Sequence, residues 1–292
     1  MRYNAWDTPE RRKRSMAKKA FQDLIRRWYR RNGRHDLPWR HTRDPYHILV
    51  SEVMLQQTQV SRVIPKYEEL LRAFPTVQAL NRSPLAAALR LWQGMGYNRR
   101  ALLLKRLAGI VSREHGGRIP ADSALLAALP GAGPATAGAV LAFAFGKRTA
   151  FLETNIRRVF LHYFFRGRRR VRDREILAKI QATLPKRNIR EWYWALMDHG
   201  ALALKGTGNP NRRSAGYARQ PPFAGSRRQA RGRIISMAAA GGVVSERKML
   251  AEFKDDRTLK RYGSPRAFRG IIRDLARDGL IARQGSRITL HR

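Results

Sequence analysis

Apolar residues recur at helical spacing through most of this chain. Near the start, Phe21, Leu24, Ile25 and Trp28 follow one another at intervals of three or four, with arginines between them. This pattern predicts an amphipathic helix with one packed face and one basic face. Comparable patterns predict further helices as far as Gly200, and no stretch in that region alternates with the period of two that strands favour. We therefore expect a mainly α protein.

The pattern changes after the helical region. Residues 204–225 are rich in Gly, Pro, Asn, Ser and Arg and predict a basic linker or wrapped loop. Residues 226–292 predict three helices followed by a short hairpin, which is typical of a small winged-helix domain. We divide the rest of the chain into a basic flexible arm at 1–15 and a helical domain at 16–203. The C-terminal domain is expected to touch DNA, with a protein-interaction module as the alternative.

Charge identifies the kind of partner. The 292 residues include 60 Lys and Arg but 21 Asp and Glu, which gives a net charge of +39. Such an excess favours a polyanion, and nucleic acid fits better than a membrane surface because no run of about 18 apolar residues occurs. No signal-peptide pattern opens the chain, so we expect a cytoplasmic, nucleoid-associated protein. Cysteine is absent and the histidines lack metal-binding spacing, so no metal is expected.

A glycine-rich turn joins two of the predicted helices. It runs Leu129-Pro130-Gly131-Ala132-Gly133, and Pro134 then suits the first position of the next helix. The free N–H groups of such a helix start can bind a phosphate. An ordinary turn that binds nothing explains the same residues equally well. The basic charge of the chain favours a DNA-binding helix-hairpin-helix.

Two glutamates have contrasting expected environments. Glu52 lies within an apolar helical run, so burial would raise its pKa and let it hold a proton near neutrality. A helix carboxylate that reaches solvent is the alternative. Glu153 opens another helix, where the dipole is expected to keep it ionised. Two carboxyls with separated pKa values suit the cleavage of a glycosidic bond.

Other polar positions have two interpretations each. Gln56 and Gln57 interrupt an apolar run and could meet base edges or cap the next helix. Tyr97 follows a glycine turn and could stack on bases or close a core. Asp198 stands near the C-terminal end of a helix, where the dipole opposes its charge, so it needs a partner. That partner could be a bound base or a neighbouring arginine.

Several ordered motifs resemble one known family. They are Leu37-Pro38-Trp39-Arg40, residues 51–60 with the sequence SEVMLQQTQV, Ile64-Pro65, Phe74-Pro75-Thr76-Val77, Gly94-Met95-Gly96-Tyr97 and the hairpin from Leu129 to Gly138. Together they resemble the helix-hairpin-helix (HhH-GPD) DNA glycosylase superfamily, and most closely its adenine glycosylase branch, the MutY type. The resemblance covers residues 34–200. It implies a two-lobed, all-α glycosylase domain.

The resemblance also implies roles for individual residues. Glu52 corresponds to the general acid that protonates the leaving base, Glu153 to the aspartate that stabilises the sugar cation, and Asn155 to an asparagine that supports this chemistry. The positions expected at the DNA are Gln56, Gln57, Tyr97, Leu129, Gly131, Gly133, Thr136 and Arg158. The positions expected around an extruded base are Trp39, Arg40, Leu55, Ala135 and Asp198.

Departures from the family pattern refine this expectation. Glu153 replaces aspartate, and Ala135 stands where relatives with lyase activity carry a lysine, so base removal alone is expected. The cluster cysteines expected after Gly200 are absent, and Arg212, Arg213 and Arg219 are candidates to bind phosphate in their place. No cofactor is expected, although the hairpin is a candidate site for a monovalent cation.

The sequence thus predicts a monomeric, monofunctional glycosylase of base excision repair that acts on double-stranded DNA containing a mispair or lesion. Adenine opposite 8-oxoguanine or guanine is the favoured substrate. Another mispaired or damaged base, or a non-catalytic protein that binds DNA structure, is the alternative.

Overall fold

The computed structural model describes residues 16–291, so the predicted basic arm at 1–15 lies outside the described residues. The described chain is mainly helical, as the apolar pattern predicts. It divides into two compact units. The described part of the first unit comprises residues 16–45 and Pro134–Arg219, and that of the second comprises Tyr46–Gly133 and residues 220–291. Each unit combines two separate stretches of chain, and the domain boundaries predicted from the sequence stay a prediction.

The described part of the first unit contains five helices. They are α1 (Lys18–Asn32), α8 (Pro134–Phe143), α9 (Thr154–Tyr163), α10 (Asp173–Thr183) and α11 (Ile189–Asp198). A wide π-helical turn, His199–Ala203, follows α11 directly, and short 3-10 turns occupy Pro38–Arg40 and Pro210–Arg213. Phe21, predicted on the packed face of α1, is buried: its ring lies 5.5 Å from that of Phe160 and 5.7 Å from that of Trp192. These contacts fix α1 against α9 and α11.

The loop that follows Gly200 is fixed to α9 by hydrogen bonds. Arg213 Nη2 donates to the carbonyl of Leu161 at 2.8 Å, and Asn211 Nδ2 donates to that of Thr154 at 3.2 Å. The Val171 N–H donates to the Arg213 carbonyl at 2.9 Å. Both terminal nitrogens of the Arg213 guanidinium thus donate to backbone carbonyls, and its role at a phosphate stays a prediction. Hydrogen bonds of this kind fix the segment in which the family resemblance implies cluster cysteines.

The second unit contains six helices before the hairpin turn. They are α2 (Pro45–Leu55), α3 (Val60–Ala73), α4 (Val77–Arg82), α5 (Leu85–Leu91), α6 (Arg99–Glu114) and α7 (Ser123–Ala128). Helix α4 was not predicted, although Thr76 carries a signal for it. The Thr76 side chain accepts the N–H of Ala79 at 3.1 Å, which is the contact of an N-cap residue. Six residues are too few for a periodic apolar pattern to stand out.

The C-terminal segment, residues 220–291, completes the second unit. It contains α12 (Arg227–Gly241), β1 (Val244–Ser245), α13 (Glu246–Asp255), α14 (Pro265–Arg277), β2 (Ile281–Gln284) and β3 (Arg287–Leu290). The strands form an antiparallel sheet in the order β1-β3-β2, with Val244 opposite Ile288 and Ile281 opposite Leu290. The three helices and the hairpin agree with the sequence prediction, whereas β1 was missed. The assignment as a winged helix stays a prediction.

Among residues 16–291, no helix combines the length and the apolar character that a membrane span requires.

Candidate active site and DNA-contacting surfaces

Glu52 stands on a largely apolar helix of the second unit, α2. In α2 the neighbouring Ser51 and Val53 are buried, as are Ile48, Leu49, Val50 and Met54, whereas Glu52 itself is half-buried. Leu55, a residue expected around the extruded base, ends this helix and is also half-buried. Because α2 buries so many apolar side chains, its axis is held firmly. The partly accessible carboxyl of Glu52 is therefore carried on a rigid element.

Arg100 links the two turns that carry Gln57 and Tyr97. Its Nη1 donates to the carbonyls of Val53 and Met54, both at 2.8 Å, and of Gln56 at 2.7 Å. Its Nη2 donates to Thr58 Oγ1 at 2.9 Å and to the Gly96 carbonyl at 3.1 Å. These bonds satisfy carbonyls at the end of α2, which has no further turn to accept them. Sequence reasoning missed Arg100, because nothing local distinguishes it from the other arginines.

The burial of Arg100 is unusual for a charged side chain. It is 7% exposed, and burial lowers the pKa of its guanidinium to about 10. The group also lies over the rings of Trp92 and Tyr97, at 5.3 and 5.7 Å. A buried cation with this many acceptors stays charged at neutral pH and holds its neighbours in one arrangement.

The glycine-rich hairpin has the cap and turn that its sequence predicts. The Asp122 carboxylate caps α7 by accepting the N–H groups of Ala124 and Leu125 at 2.8 and 2.9 Å. In the turn Gly131 has φ +81°, a conformation that favours glycine. The Gly131 carbonyl accepts Gln56 Nε2 at 3.1 Å, so this amide supports the turn.

The other residues expected at the DNA around this hairpin differ in exposure. Gly133 is exposed and Gly131 half-buried, whereas Leu129 and Thr136 are buried. Backbone groups, more than the side chains of Leu129 and Thr136, are thus accessible to a phosphate. Ala135, expected at the base, is half-buried at the start of α8.

Glu153 caps the N-terminus of α9. Its Oε2 accepts the backbone N–H of Asn155 at 2.9 Å and the Asn155 side-chain amide at 3.3 Å, and its Oε1 accepts the N–H of Ile156 at 2.7 Å. The predicted position at a helix start is thus confirmed. The expectation that the helix dipole keeps Glu153 ionised is not confirmed, because burial raises the pKa of the Glu153 carboxyl above its ordinary value. The hydrogen bonds and the charge of Arg158 lower this pKa, but by less than burial raises it.

Two glycines allow the backbone around Glu153 to approach other elements closely. A Cβ on Gly138 would lie 2.4 Å from Cβ of Phe151, and a Cβ on Gly200 would lie 2.3 Å from the carbonyl oxygen of Asn155. Neither distance is sterically allowed, so both positions require glycine. Arg158, expected at the DNA, donates Nη1 to the Gly200 carbonyl at 2.9 Å. It thereby helps to hold the turn after α11 near the start of α9.

Asp198, at the end of α11, is held by two arginines. Arg40 donates Nη1 to Oδ2 at 2.8 Å and Nη2 to Oδ1 at 2.9 Å. Arg34 adds its backbone N–H to Oδ2 and its Nε to Oδ1, both at 2.8 Å. Although burial raises the pKa of Asp198, these hydrogen bonds and charges hold it below its ordinary value. Of the two partners that the sequence left open, the structure contains the arginine.

This network also fixes Trp39 and Arg40. Arg190 donates to the backbone carbonyls of Arg40, at 3.0 Å, and of Thr42. Trp39 is buried in the 3-10 turn Pro38–Arg40, with 6% exposure. Because both terminal guanidinium nitrogens of Arg40 and both oxygens of Asp198 are engaged, these side chains bind one another more readily than they contact a base. Their role in base binding stays a prediction.

No group of three or more metal-binding side chains is arranged to hold a metal ion within residues 16–291.

Comparison with known proteins identifies the family of the chain. Residues 50–186 match the family described as "HhH-GPD superfamily base excision DNA repair protein". An adenine DNA glycosylase of Mycobacterium tuberculosis (strain ATCC 25618 / H37Rv) is 37% identical over 239 residues, which are 73% of this chain and 76% of that protein. The chain belongs to the HhH-GPD superfamily.

Two further similarities describe the extent of the match. An adenine DNA glycosylase of Buchnera aphidicola subsp. Baizongia pistaciae (strain Bp) is 38% identical over 184 residues, which are 63% of this chain and 52% of that protein. The chain thus spans about half the length of this relative. Among solved structures, a thermostable thymine-DNA glycosylase is 29% identical with a TM-score of 0.57, covering 63% of this chain and 86% of that one.

Proposed function

We propose that this protein is a monofunctional DNA glycosylase of base excision repair. It hydrolyses the N-glycosidic bond of a base flipped out of the duplex, and adenine opposite 8-oxoguanine or guanine is the substrate that we favour. Membership of the HhH-GPD superfamily and the similarity to proteins named adenine DNA glycosylase support this proposal. The net charge of +39 supports a DNA substrate.

The geometry of Glu153 is the observation that carries the proposal. Its carboxylate is held in one position by two backbone N–H groups and the Asn155 amide, and it forms no ion pair within the described residues. A fixed anion whose charge is not matched by a paired cation can stabilise the cationic sugar that forms as a glycosidic bond breaks.

The proposed reaction assigns one task to each carboxyl. Glu52 donates a proton to the leaving base as the bond between its nitrogen and C1′ breaks. Glu153 stabilises the positive charge on the sugar until water adds its oxygen to C1′ and loses a proton. The products are the free base and an abasic site. The resemblance places Ala135 where relatives with lyase activity have a lysine, so the strand is left uncut.

A second substrate is kept because of one specific similarity. The solved structure at 29% identity is named a thymine-DNA glycosylase. We therefore include thymine and uracil opposite guanine among the candidate bases. A protein that binds DNA structure without releasing any base is the remaining alternative.

Base release under single-turnover conditions tests the proposal. Duplexes that contain adenine opposite 8-oxoguanine or guanine, or thymine or uracil opposite guanine, are incubated with excess protein and analysed with and without alkali. We expect strand cleavage after alkali alone, fastest for adenine. Cleavage without alkali would contradict a monofunctional enzyme, and faster release of thymine or uracil would favour the second substrate.

A Glu52→Gln variant separates catalysis from binding. Glutamine keeps the size and polarity of the side chain but cannot donate an acidic proton, so base release is expected to stop while DNA affinity is retained. Glu69→Gln is the matched control, because Glu69 is a 43% exposed carboxylate of the same unit that pairs with Lys66. Base release by Glu52→Gln at the wild-type rate would overturn the assigned role.

A further inference from the structure

Helix α14 carries arginines along one exposed face. Its exposed residues are Pro265 and four arginines, Arg266, Arg269, Arg273 and Arg277. The arginines follow one another at intervals of three or four residues, so they form a single stripe along the helix. The opposite face is buried and consists of Phe268, Ile271, Ile272 and Leu275. The arginine stripe extends over about 16 Å, because each helical residue adds about 1.5 Å.

The charge of the arginine stripe is not balanced by carboxylates of the protein. Within residues 16–291, neither Arg266 nor Arg273 pairs with a carboxylate. Arg277 pairs with Asp274 at 3.1 Å, but its side chain remains 77% exposed. Asp274 also pairs with Arg227 of α12, so one carboxylate is shared between two arginines. The stripe therefore keeps a positive charge that a ligand can meet.

Glu246 holds the β2–β3 hairpin beside the arginine stripe. Its Oε1 accepts Arg269 Nε of α14 at 2.7 Å, and its Oε2 lies 2.9 Å from Nη2 of Arg283 in β2. The Glu246 N–H donates to the carbonyl of Ser286, in the hairpin turn, at 2.7 Å. One carboxylate with 7% exposure thus links the helix face to the hairpin. Arg283 and Arg287 are both exposed and add two further cations there.

This surface lacks the residues that interfaces between proteins favour. None of the exposed large apolar side chains within residues 16–291 lies on α14 or on the β2–β3 hairpin. Interfaces between proteins usually have an apolar core that is rich in aromatic residues and methionine. A row of cations without such a core instead matches a regularly spaced row of anions, as in the phosphate backbone of a nucleic acid.

We propose that the arginine stripe of α14 and the β2–β3 hairpin form a binding surface for undamaged duplex DNA. An α-helix fits the major groove of B-form DNA, which is about 12 Å wide, so the arginines can reach the phosphates beside it. The deep, narrow major groove of an RNA duplex does not admit side chains in this way. Contacts to phosphates carry no sequence information, so the surface binds DNA of any sequence. The inference goes beyond the proposed function, since it requires neither a lesion nor the release of a base.

Binding of the full chain to an undamaged duplex tests the inference. Dissociation constants are measured by fluorescence anisotropy at several salt concentrations. Arg266→Ala/Arg273→Ala removes the two unpaired arginines, so the affinity should fall by about tenfold and the slope of log Kd against log salt by about two. Arg266→Lys/Arg273→Lys keeps both charges and should stay within about threefold of wild type, since lysine also binds phosphate. An RNA duplex of the same length should bind more weakly.

A charge-matched variant separates this surface from the net charge of the protein. Arg113→Ala/Arg233→Ala removes two other exposed arginines of the second unit, which already pair with glutamates. Its affinity should stay within about twofold of wild type, because salt screens charges that lie away from the bound duplex. An equal loss of affinity in both double-alanine variants, or an unchanged affinity of Arg266→Ala/Arg273→Ala, would overturn the inference. RNA binding as tight as DNA binding would overturn it too.

The outcome is independent of catalysis. If the Arg266→Ala/Arg273→Ala variant loses affinity for undamaged DNA and the wild-type protein releases no base, the inference is supported and the proposed function is contradicted. If the wild-type protein releases a base and the variant binds undamaged DNA as tightly as wild type, the proposed function is supported and the inference is overturned.

Discussion

Two carboxylates of the first unit have pKa values displaced in opposite directions. Asp198 stands at the C-terminal end of α11, where the helix dipole opposes a negative charge, yet two arginines hold its pKa below the ordinary value. Glu153 caps the N-terminus of α9, where the dipole favours a negative charge, yet burial holds its pKa above the ordinary value. Burial and paired charges thus outweigh the helix dipole in setting the direction of these two pKa shifts.

The same contrast separates a structural carboxylate from one suited to catalysis. Asp198 receives guanidinium groups on both oxygens and is 0% exposed, so its hydrogen-bonding capacity is used within the protein. Glu153 receives neutral N–H groups, which fix its position without cancelling its charge. If this distinction is correct, substitutions at the two positions should affect different measurements.

The largest expected effect on stability comes from Asp198→Asn. The substitution leaves the buried Arg40 and the partly buried Arg34 without a counter-charge, which typically costs about 3–5 kcal/mol. Urea unfolding at pH 7 measures the change. Asp173→Asn is the control, because Asp173 pairs with Arg157 while 54% exposed, and its loss should cost less than about 1 kcal/mol. Equal effects of the two variants would remove the structural role assigned to Asp198.

A smaller loss is expected from Gly200→Ala. The new Cβ would lie 2.3 Å from the Asn155 carbonyl oxygen, so the turn after α11 or the start of α9 must move. Such overpacking costs about 1–3 kcal/mol, and it should also slow base release because Asn155 helps to hold Glu153. Gly206→Ala is the control, since nothing lies within 4 Å of a Cβ at that position. A Gly200→Ala variant with wild-type stability and rate would show that this close approach is dispensable.

Acidification should destabilise the fold through His199, the residue that follows Asp198. Burial lowers the pKa of His199 to about 4, and its ring nitrogen Nε2 lies 2.8 Å from the Tyr163 hydroxyl. In the unfolded chain the pKa of this histidine is about 6.5, so the unfolded chain binds the proton first. The stability of the fold therefore falls as the pH drops below that value. Between pH 7 and 5 the loss should be about 2 kcal/mol.

Urea unfolding of wild type and His199→Gln at both pH values checks this effect. The variant has no imidazole to protonate, so its stability should depend less on pH by the same amount. An unchanged pH dependence would mean that other groups cause the acid sensitivity.

Local patterns predicted much of the fold and part of the site. The start of α8 at Pro134, the turn at Gly131 and the placement of Glu153 at the start of α9 all follow from signals within a few residues. The protonation tendency of Glu153 was not predictable in the same way, because burial depends on what the rest of the chain packs around it.

Contacts between distant residues account for what the sequence did not reveal. Arg34 lies 164 positions from Asp198 along the chain, and Arg228 lies 131 positions from Tyr97. In a chain with 60 basic residues, no local feature distinguishes the arginines that pair with a buried group from those on the surface. Spacing could show that Asp198 needed a partner but could not identify Arg34 and Arg40.

We infer that Glu153 acts in the reaction, and a Glu153→Gln variant tests this role. Glutamine can still accept a helix N–H through its amide oxygen, so the unfolding free energy should change little. Single-turnover release of adenine opposite 8-oxoguanine should fall by about 10²–10³-fold, because the sugar cation loses its fixed anion. Release at the wild-type rate by a correctly folded Glu153→Gln protein would show that the Glu153 carboxylate is not needed for the reaction.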